Sequence, residues 1–481
     1  MSAFTQITDP TDLDAIRAAI DTTPDAADLV PLGIRTLVIS PQASLGIVDA
    51  VAGLVGEAGA ARRARVVLLG DETLIRRDGE DLKRRIGELL ARSFEVQTVT
   101  LGHHGVLHAD EDALDGATAA IEGAACVVAI GGGTISDIGK VATDRRGGLP
   151  LVIVQTAASV DGFTDNVSVV LRNGVKRTIP SRWPDIVLAD TTTIADAPVQ
   201  MNTAGFGEVL SLYTAPADWE LAHRLGLDDS FRLTPRDFLL EFAGDPASWA
   251  EGLADGAPAA VLDLTRMLAI RGIGTGIAGT TACLSGVEHV VSHMLDMYAA
   301  ANGLPTGLHG AQVGAATLVA SSAWQLLRER LADGGAAPSF PAPADLEQRV
   351  KSAYDICDPT GARGEECWSD YRRKLDAWNA DPERVRRVIA GLTEDGVALA
   401  SSVPSAASLS AGLAAAGSPS TPGDLIEWVT PELWRWAVAN CLFMRDRFTV
   451  VDLLFLLGHW TDADIDAVID RALAAEREPS R

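Results

Sequence analysis

His289 and His293 stand four apart in Ser285-Gly286-Val287-Glu288-His289-Val290-Val291-Ser292-His293. His309 follows twenty residues after His289, in Leu308-His309-Gly310-Ala311. On a helix, a spacing of four puts two imidazoles on one face. Two or three imidazoles with a carboxylate make a zinc or iron site that keeps one position open. On spacing alone, a helix carrying two partly exposed histidines fits equally well. The carboxylate candidate is Glu208, in Ala204-Gly205-Phe206-Gly207-Glu208-Val209-Leu210. It reads as opening a helix after glycines, where a capping or dipole role would also place it. His103, His104 and His108 form a further group, read as a solvated loop.

A second constellation lies upstream. Gly131-Gly132-Gly133-Thr134-Ile135-Ser136-Asp137 follows the apolar run Cys126-Val127-Val128-Ala129-Ile130. A β-branched run that breaks into glycines is a strand ending in a turn, and glycines there let backbone N–H groups approach a phosphate. The spacing is not G-x-G-x-x-G, so the usual dinucleotide fingerprint is absent. Asp161, in Thr156-Ala157-Ala158-Ser159-Val160-Asp161-Gly162-Phe163, reads first as a turn residue before glycine. The hydroxyls of Thr156 and Ser159 suit a helix cap, a phosphate or a nicotinamide. Asn173-Gly174-Val175-Lys176-Arg177 is hairpin-like with a basic arm, suited to an anion or to a solvated turn.

Strand-like and helix-like segments alternate through the first half. Strands are expected at 35–40, 65–70, 95–101, 125–130, 151–155 and 186–189, with helices at 44–58, 80–92 and 111–122 between them. This rhythm implies a parallel sheet covered by helices on both faces. Ligands sit at the carboxyl ends of strands in such sheets, where Asp71, the glycines 131–133 and Thr156 fall. After about residue 200 the strand signals stop. Apolar spacing predicts helices at 204–224, 236–254, 257–279, 284–300, 309–331, 345–356 and 382–400. The expected organisation is a Rossmann-like α/β domain over 1–200 and an all-α domain over 201–481. Stretches 334–343 and 404–422, rich in Ala, Gly, Pro and Ser, look like linkers or surface loops.

The 481 residues suffice for two or three domains with a large core. Lysine and arginine total 40 against 65 aspartates and glutamates, a net charge of −25. So acidic a chain argues against nucleic acid or an anionic membrane as partner, and an anionic substrate must meet a locally positive pocket. The five cysteines form no C-x-x-C pair, against a disulfide framework. No basic, apolar leader opens the sequence. No apolar stretch reaches the length of a membrane span, the longest candidate being Val450 to Leu457. A soluble cytoplasmic protein, compatible with a homo-oligomer, is expected.

Taken together, GGGTISDIGK, QTAASVDGF, NGVKRTIPSRWPDIVLAD, AGFGEVLSLYTAPADWELAH, SGVEHVVSH and LHG resemble the sn-glycerol-1-phosphate dehydrogenase family. That family belongs to the superfamily of iron-containing alcohol dehydrogenases, glycerol dehydrogenase and dehydroquinate synthase. The likeness runs from about Asp71 to Arg447. It implies a dehydroquinate synthase-like fold and an NAD- or NADP-linked interconversion of a small polyol, or its phosphate, and the ketone. It further implies that Gly131, Gly132, Gly133, Thr134 and Ile135 wrap the cofactor pyrophosphate with Asp137 nearby. Asp71 would bind the adenosine ribose, Thr156 and Ser159 the nicotinamide half, and Asp161 and His293 the substrate. Glu208, His289 and His309 would hold the metal, Zn2+ first, with Fe2+ or Ni2+ as alternatives.

Three positions depart from the family pattern. Glu208 stands where glycerol-1-phosphate enzymes usually carry Asp, although dehydroquinate synthases use Glu. Leu212 replaces a usual Lys, which removes a cation and leaves Lys140, Lys176 and Arg177 as basic candidates. Asp165, counted with the cofactor residues, replaces a small or hydroxyl residue. A carboxylate there repels a dinucleotide phosphate unless it turns away or pairs with a base. These departures keep two other readings in view: a dehydroquinate synthase-like cyclase that uses NAD transiently, and a catalytically decayed nucleotide-binding homologue.

Overall fold

The computed structural model describes residues 2–61, 63–102, 107–172, 175–334, 337–392 and 396–475, without the side chains of 57–61, 175–176 and 396–398. His103, His104, the hairpin tip Asn173-Gly174 and the side chain of Lys176 lie outside the described residues.

Ten strands are described: β1 (Thr36–Ser40), β2 (Arg65–Asp71), β3 (Arg76–Arg77), β4 (Glu80–Asp81), β5 (Glu95–Leu101), β6 (Cys126–Gly131), β7 (Leu151–Gln155), β8 (Val167–Arg172), β9 (Val175–Pro180) and β10 (Ile186–Asp190). Six form one sheet in the order β1-β10-β7-β6-β2-β5, with every neighbouring pair parallel. All five positions of β7 and of β10 are buried. That explains their unbroken apolar character, since helices cover both faces of such a sheet. β3 pairs with β4 and β8 with β9 in small antiparallel hairpins. The six sheet strands fall where the sequence places them, to within a residue or two.

The strand order reverses between β2 and β6. From β2 the chain moves outward to β5, then returns to β6 on the other side of β2 and continues to β7. A crevice at the carboxyl ends of the strands is expected at such a switch point. The residues that end these two strands are Asp71 and Gly131.

By contacts the chain divides into two compact units. The first is Met1–Gly205 with Arg232–Gly244 and Glu251–Gly279; the second is Phe206–Phe231, Asp245–Ala250 and Thr280–Arg481. Helix Pro258–Ala278, read from sequence as part of the helical domain, thus clusters with the sheet. Its neighbours include β1 and the short helix Thr191–Ala195.

Two helical segments break where one helix was expected. Helices Val199–Leu210 and Ala215–Leu225 are separated by a 3-10 turn at Ser211–Tyr213, and helix Leu233–Ala243 stops at Gly244. The expected linker 404–422 contains helix Ala406–Ala416, capped by Ser405 and closed by left-handed Gly417. Its small residues resemble a loop in composition, yet Leu409 and Leu413 are fully buried. The apolar window Leu399–Ala416 also has the length and hydropathy of a membrane span, contrary to the sequence reading. Half of it is buried, and it is divided between helices Gly396–Ser401 and Ala406–Ala416.

Candidate metal and cofactor sites

In the second unit, helix Val287–Asn302 carries His289 and His293 on one face, and His309 is the first residue of helix His309–Ala332. Glu208 lies near the end of helix Val199–Leu210 and does not open it. The glycines around it mark close contacts between backbones, which the sequence reading took for a helix start. A Cβ at Gly207 would sit 2.2 Å from the carbonyl oxygen of Gly310, so only glycine lets these two helices meet. That approach brings the next residue, Glu208, to His309.

Glu208 Oε1 lies 3.2 Å from His289 Nε2, and Glu208 Oε2 lies 3.8 Å from His309 Nε2. Donors placed 2.0–2.2 Å from a tetrahedral zinc are about 3.3–3.5 Å from one another, so this spacing fits a divalent ion. The Glu208 side chain is 4% exposed and that of His289 10%, so these two donors are shielded from bulk water, while His309 is 24% exposed.

Each imidazole is fixed by a partner on its other nitrogen. Glu288 Oε1 lies 3.1 Å from His289 Nδ1; a carboxylate can only accept, so Nδ1 donates and Nε2 is left for a metal. Thr214 Oγ1 and the Gly286 N–H donate to the same Glu288 carboxylate. Ser292 Oγ donates to Gln312 Oε1 at 2.7 Å and therefore accepts from His309 Nδ1 at 2.9 Å. Again Nε2 remains as the ligand atom. Buried Asp218 accepts from the N–H of Val287 and of Val450, holding the first residues of helices Val287–Asn302 and Val450–Leu456. Burial raises its pKa well above the usual carboxylate range, with Glu288 adding to the effect.

Burial is the largest single influence on His289 and lowers its pKa, but the Glu208 and Glu288 carboxylates together outweigh it and push the value up to about 9. In the metal-free protein that imidazole is therefore cationic at neutral pH, with a proton where a metal would bind.

His293 stands beside the trio, its ring stacked on His309 at 5.4 Å between centroids. With Asp296 and His309 it forms a second group of potential donors. Both groups use His309, and the Glu208 group has each imidazole locked by a partner on Nδ1. Glu288, Ser292, Gln312 and Asp218 were not singled out from the sequence. The Glu288-His289 pair was legible as a neighbour, whereas the other three become neighbours only through helix packing. Glu288→Gln is expected to weaken metal binding about 10–100-fold by loosening the hold on His289 Nδ1, as read by competition with a chromophoric chelator.

In the first unit, Gly131 ends β6 and helix Gly133–Arg145 begins two residues later. A Cβ at Gly131 would meet Ile135 at 2.7 Å and one at Gly133 would meet Val160 at 2.8 Å, while none would meet anything at Gly132. The turn is thus packed on two sides and open on the third, at a helix N-terminus suited to an anion. Asp71 accepts from Thr73 N and Oγ1 and pairs with Lys83 at 3.3 Å. Thr156 is buried and Ser159 is partly exposed in the loop after β7.

Asp165 faces inward and does not reach a ligand surface. Lys140 Nζ donates to it at 2.5 Å, to Gly162 O at 2.8 Å and to Val167 O, and lies 3.2 Å from Asp137. Lys140 is fully buried, so neither it nor Asp165 is available to a substrate phosphate. Burial raises the pKa of Asp165 to about 7, against the pull of Lys140 and with a push from Asp161. Leu212 is likewise fully buried. Arg177 lies on β9 and is partly exposed.

Residues 42–198 match the family model for iron-containing alcohol dehydrogenases. The fold is shared with a probable glycerol dehydrogenase from Sinorhizobium meliloti 1021, at 17% identity, TM-score 0.51 and coverage of 92% of this chain and 97% of that one. Glycerol dehydrogenase from Schizosaccharomyces pombe gives 15% identity, TM-score 0.52 and coverage of 93% and 90%. Within that class, the chain belongs to the glycerol-1-phosphate dehydrogenase family. It is 34% identical over 294 residues to glycerol-1-phosphate dehydrogenase (NAD(P)+) of Haloquadratum walsbyi, covering 57% of this chain and 79% of the relative. The enzyme of the same name from Aeropyrum pernix is 32% identical over 308 residues, covering 63% and 82%. The Bacillus velezensis enzyme of that name is 33% identical, and the match spans 56% of its length.

Proposed function

We propose that this chain is a metal-dependent, NAD(P)-linked oxidoreductase that interconverts a polyol phosphate and its ketone. The first pair to test is sn-glycerol 1-phosphate and dihydroxyacetone phosphate. The observation that carries this reading is the Glu208–His289–His309 set, both imidazoles presenting Nε2, in a chain of this family. A bound divalent ion, zinc in our reading, supplies Lewis-acid polarisation of a substrate oxygen, and the nicotinamide supplies the redox chemistry. Gly131 to Ile135, with Asp137 behind them, receive the pyrophosphate. Asp71 takes the adenosine ribose, and Thr156 and Ser159 orient the nicotinamide. Asp161 and His293 hold the substrate and move its hydroxyl proton, a task suited to an imidazole near neutral pH. Arg177 is the remaining described basic candidate for the phosphate. All five cysteines are buried and none is in a disulfide, in keeping with a reducing cytoplasm.

Metal-loaded protein is expected to oxidise NADH or NADPH in the presence of dihydroxyacetone phosphate, with sn-glycerol 1-phosphate as the product. Absence of turnover with either cofactor would overturn the substrate assignment. Glu208 favours one second reading, a cyclase that recycles NAD; product formation without net change in NADH identifies it.

A further inference from the structure

Asp161 is not held by its own loop alone. Its carboxylate Oδ2 lies 3.1 Å from Nη2 of Arg271, on helix Pro258–Ala278 in the same unit. The arginine side chain is 1% exposed and the aspartate 21%. The helix reaches the loop because the next residue is glycine: a Cβ at Gly272 would lie 2.2 Å from Thr164 Oγ1 and 2.6 Å from Asp161 O. Thr164 Oγ1 in turn donates to Ala269 O, one turn earlier on that helix. Backbone approach, hydroxyl contact and ion pair thus converge on one short stretch, Ala269 to Gly272.

We infer that Arg271 is a positioning residue for Asp161, fixing the orientation and the ionised state of the carboxylate from the buried side. The local charge supports this. The Asp165 carboxylate feels the charge of both Asp161 and Asp137, and Lys140 is engaged by Asp165 and Asp137. Without Arg271 the Asp161 carboxylate loses a buried cation while Asp165 still repels it, a change that favours its protonated form. A protonated or rotated Asp161 would no longer accept the substrate hydroxyl proton.

The inference rests on the reading of Asp161 as a substrate-facing group, so its test separates the two. Arg271→Met, Arg271→Lys, Asp161→Asn and the Arg271→Met/Asp161→Asn double variant are assayed with dihydroxyacetone phosphate in metal-loaded enzyme, with NADH binding followed by fluorescence. The expected result is kcat at least tenfold lower in R271M, NADH affinity unchanged, and substantial recovery in R271K. The double variant is expected to be no slower than D161N. Unchanged kcat in R271M, or losses that multiply in the double variant, would overturn the inference. If the wild-type chain turns over none of these substrates, the functional reading fails. The inference is then decided by carboxyl 13C NMR, with the Asp161 signal identified by its absence in D161N. A titration midpoint at least about one pH unit higher in R271M than in wild type supports it, and an unmoved midpoint overturns it.

Discussion

Glu208→Ala should leave the purified protein without stoichiometric divalent metal and lower its turnover of dihydroxyacetone phosphate about 1000-fold. Glu208 is the only carboxylate of the trio, and its two oxygens face the two imidazoles at 3.2 and 3.8 Å. Removing it deletes one of three protein ligands and the negative charge that offsets the cation. The loss of Lewis-acid assistance, several kcal/mol, accounts for a factor of that size. Elemental analysis after dialysis and the 340 nm absorbance of NAD(P)H measure the two effects. Full metal content in the variant would place the ion elsewhere.

A signed pH dependence accompanies this. With its pKa raised to about 9 by Glu208 and Glu288 against the effect of burial, His289 must release a proton when metal binds at neutral pH. Metal affinity is therefore expected to rise with pH up to about 9. For the metal-free fold the sign is opposite. A histidine whose pKa is raised on folding stabilises the fold fully below its unfolded value, near 6.5, and loses that contribution as pH climbs through 9.

Lys140→Met is expected to destabilise the sheet unit by about 3–5 kcal/mol, read from denaturant unfolding. The ammonium is buried among Asp165, Asp137 and two backbone carbonyls. Removing it leaves two carboxylates without their cation in a site closed to water. Adding Asp165→Asn to Lys140→Met should recover part of the loss, because one stranded charge disappears. Asp165 also gives wild-type stability a pH dependence. Its pKa is raised by burial to about 7, so its favourable contribution is complete below about 4 and is lost as pH rises through 7. Asp165→Asn should flatten that slope. Stability that instead grew across this window would contradict the assignment.

Much of the scaffold is legible in the chain. Runs such as Leu151-Val152-Ile153-Val154 announce buried parallel strands, and the triple glycine marks a strand end. The four-residue spacing of His289 and His293 sets both on one helical face. The breaks at 211–213 and Gly244 were missed because apolar spacing runs on through the breakers, Pro216 at the start of the next helix and Gly244-Asp245-Pro246. Helix Ala406–Ala416 was missed because its Ala, Gly and Ser content was read as loop. The family likeness read from ordered motifs is upheld by relatives more than 30% identical.

The sequence alone thus determined the elements and the residue types offered to a metal and a dinucleotide. These follow from hydrogen-bond geometry that repeats every two or 3.6 residues. Only the tertiary structure decided the pairings: Glu208 with His289, 81 positions away, Asp165 turned onto Lys140, and Arg271 against Asp161. Those depend on how closely backbones pack. Gly207 against Gly310 and Gly272 against Asp161 are contacts in which a single Cβ would hold the partners apart. Local periodicity carries no record of which surface a glycine will meet.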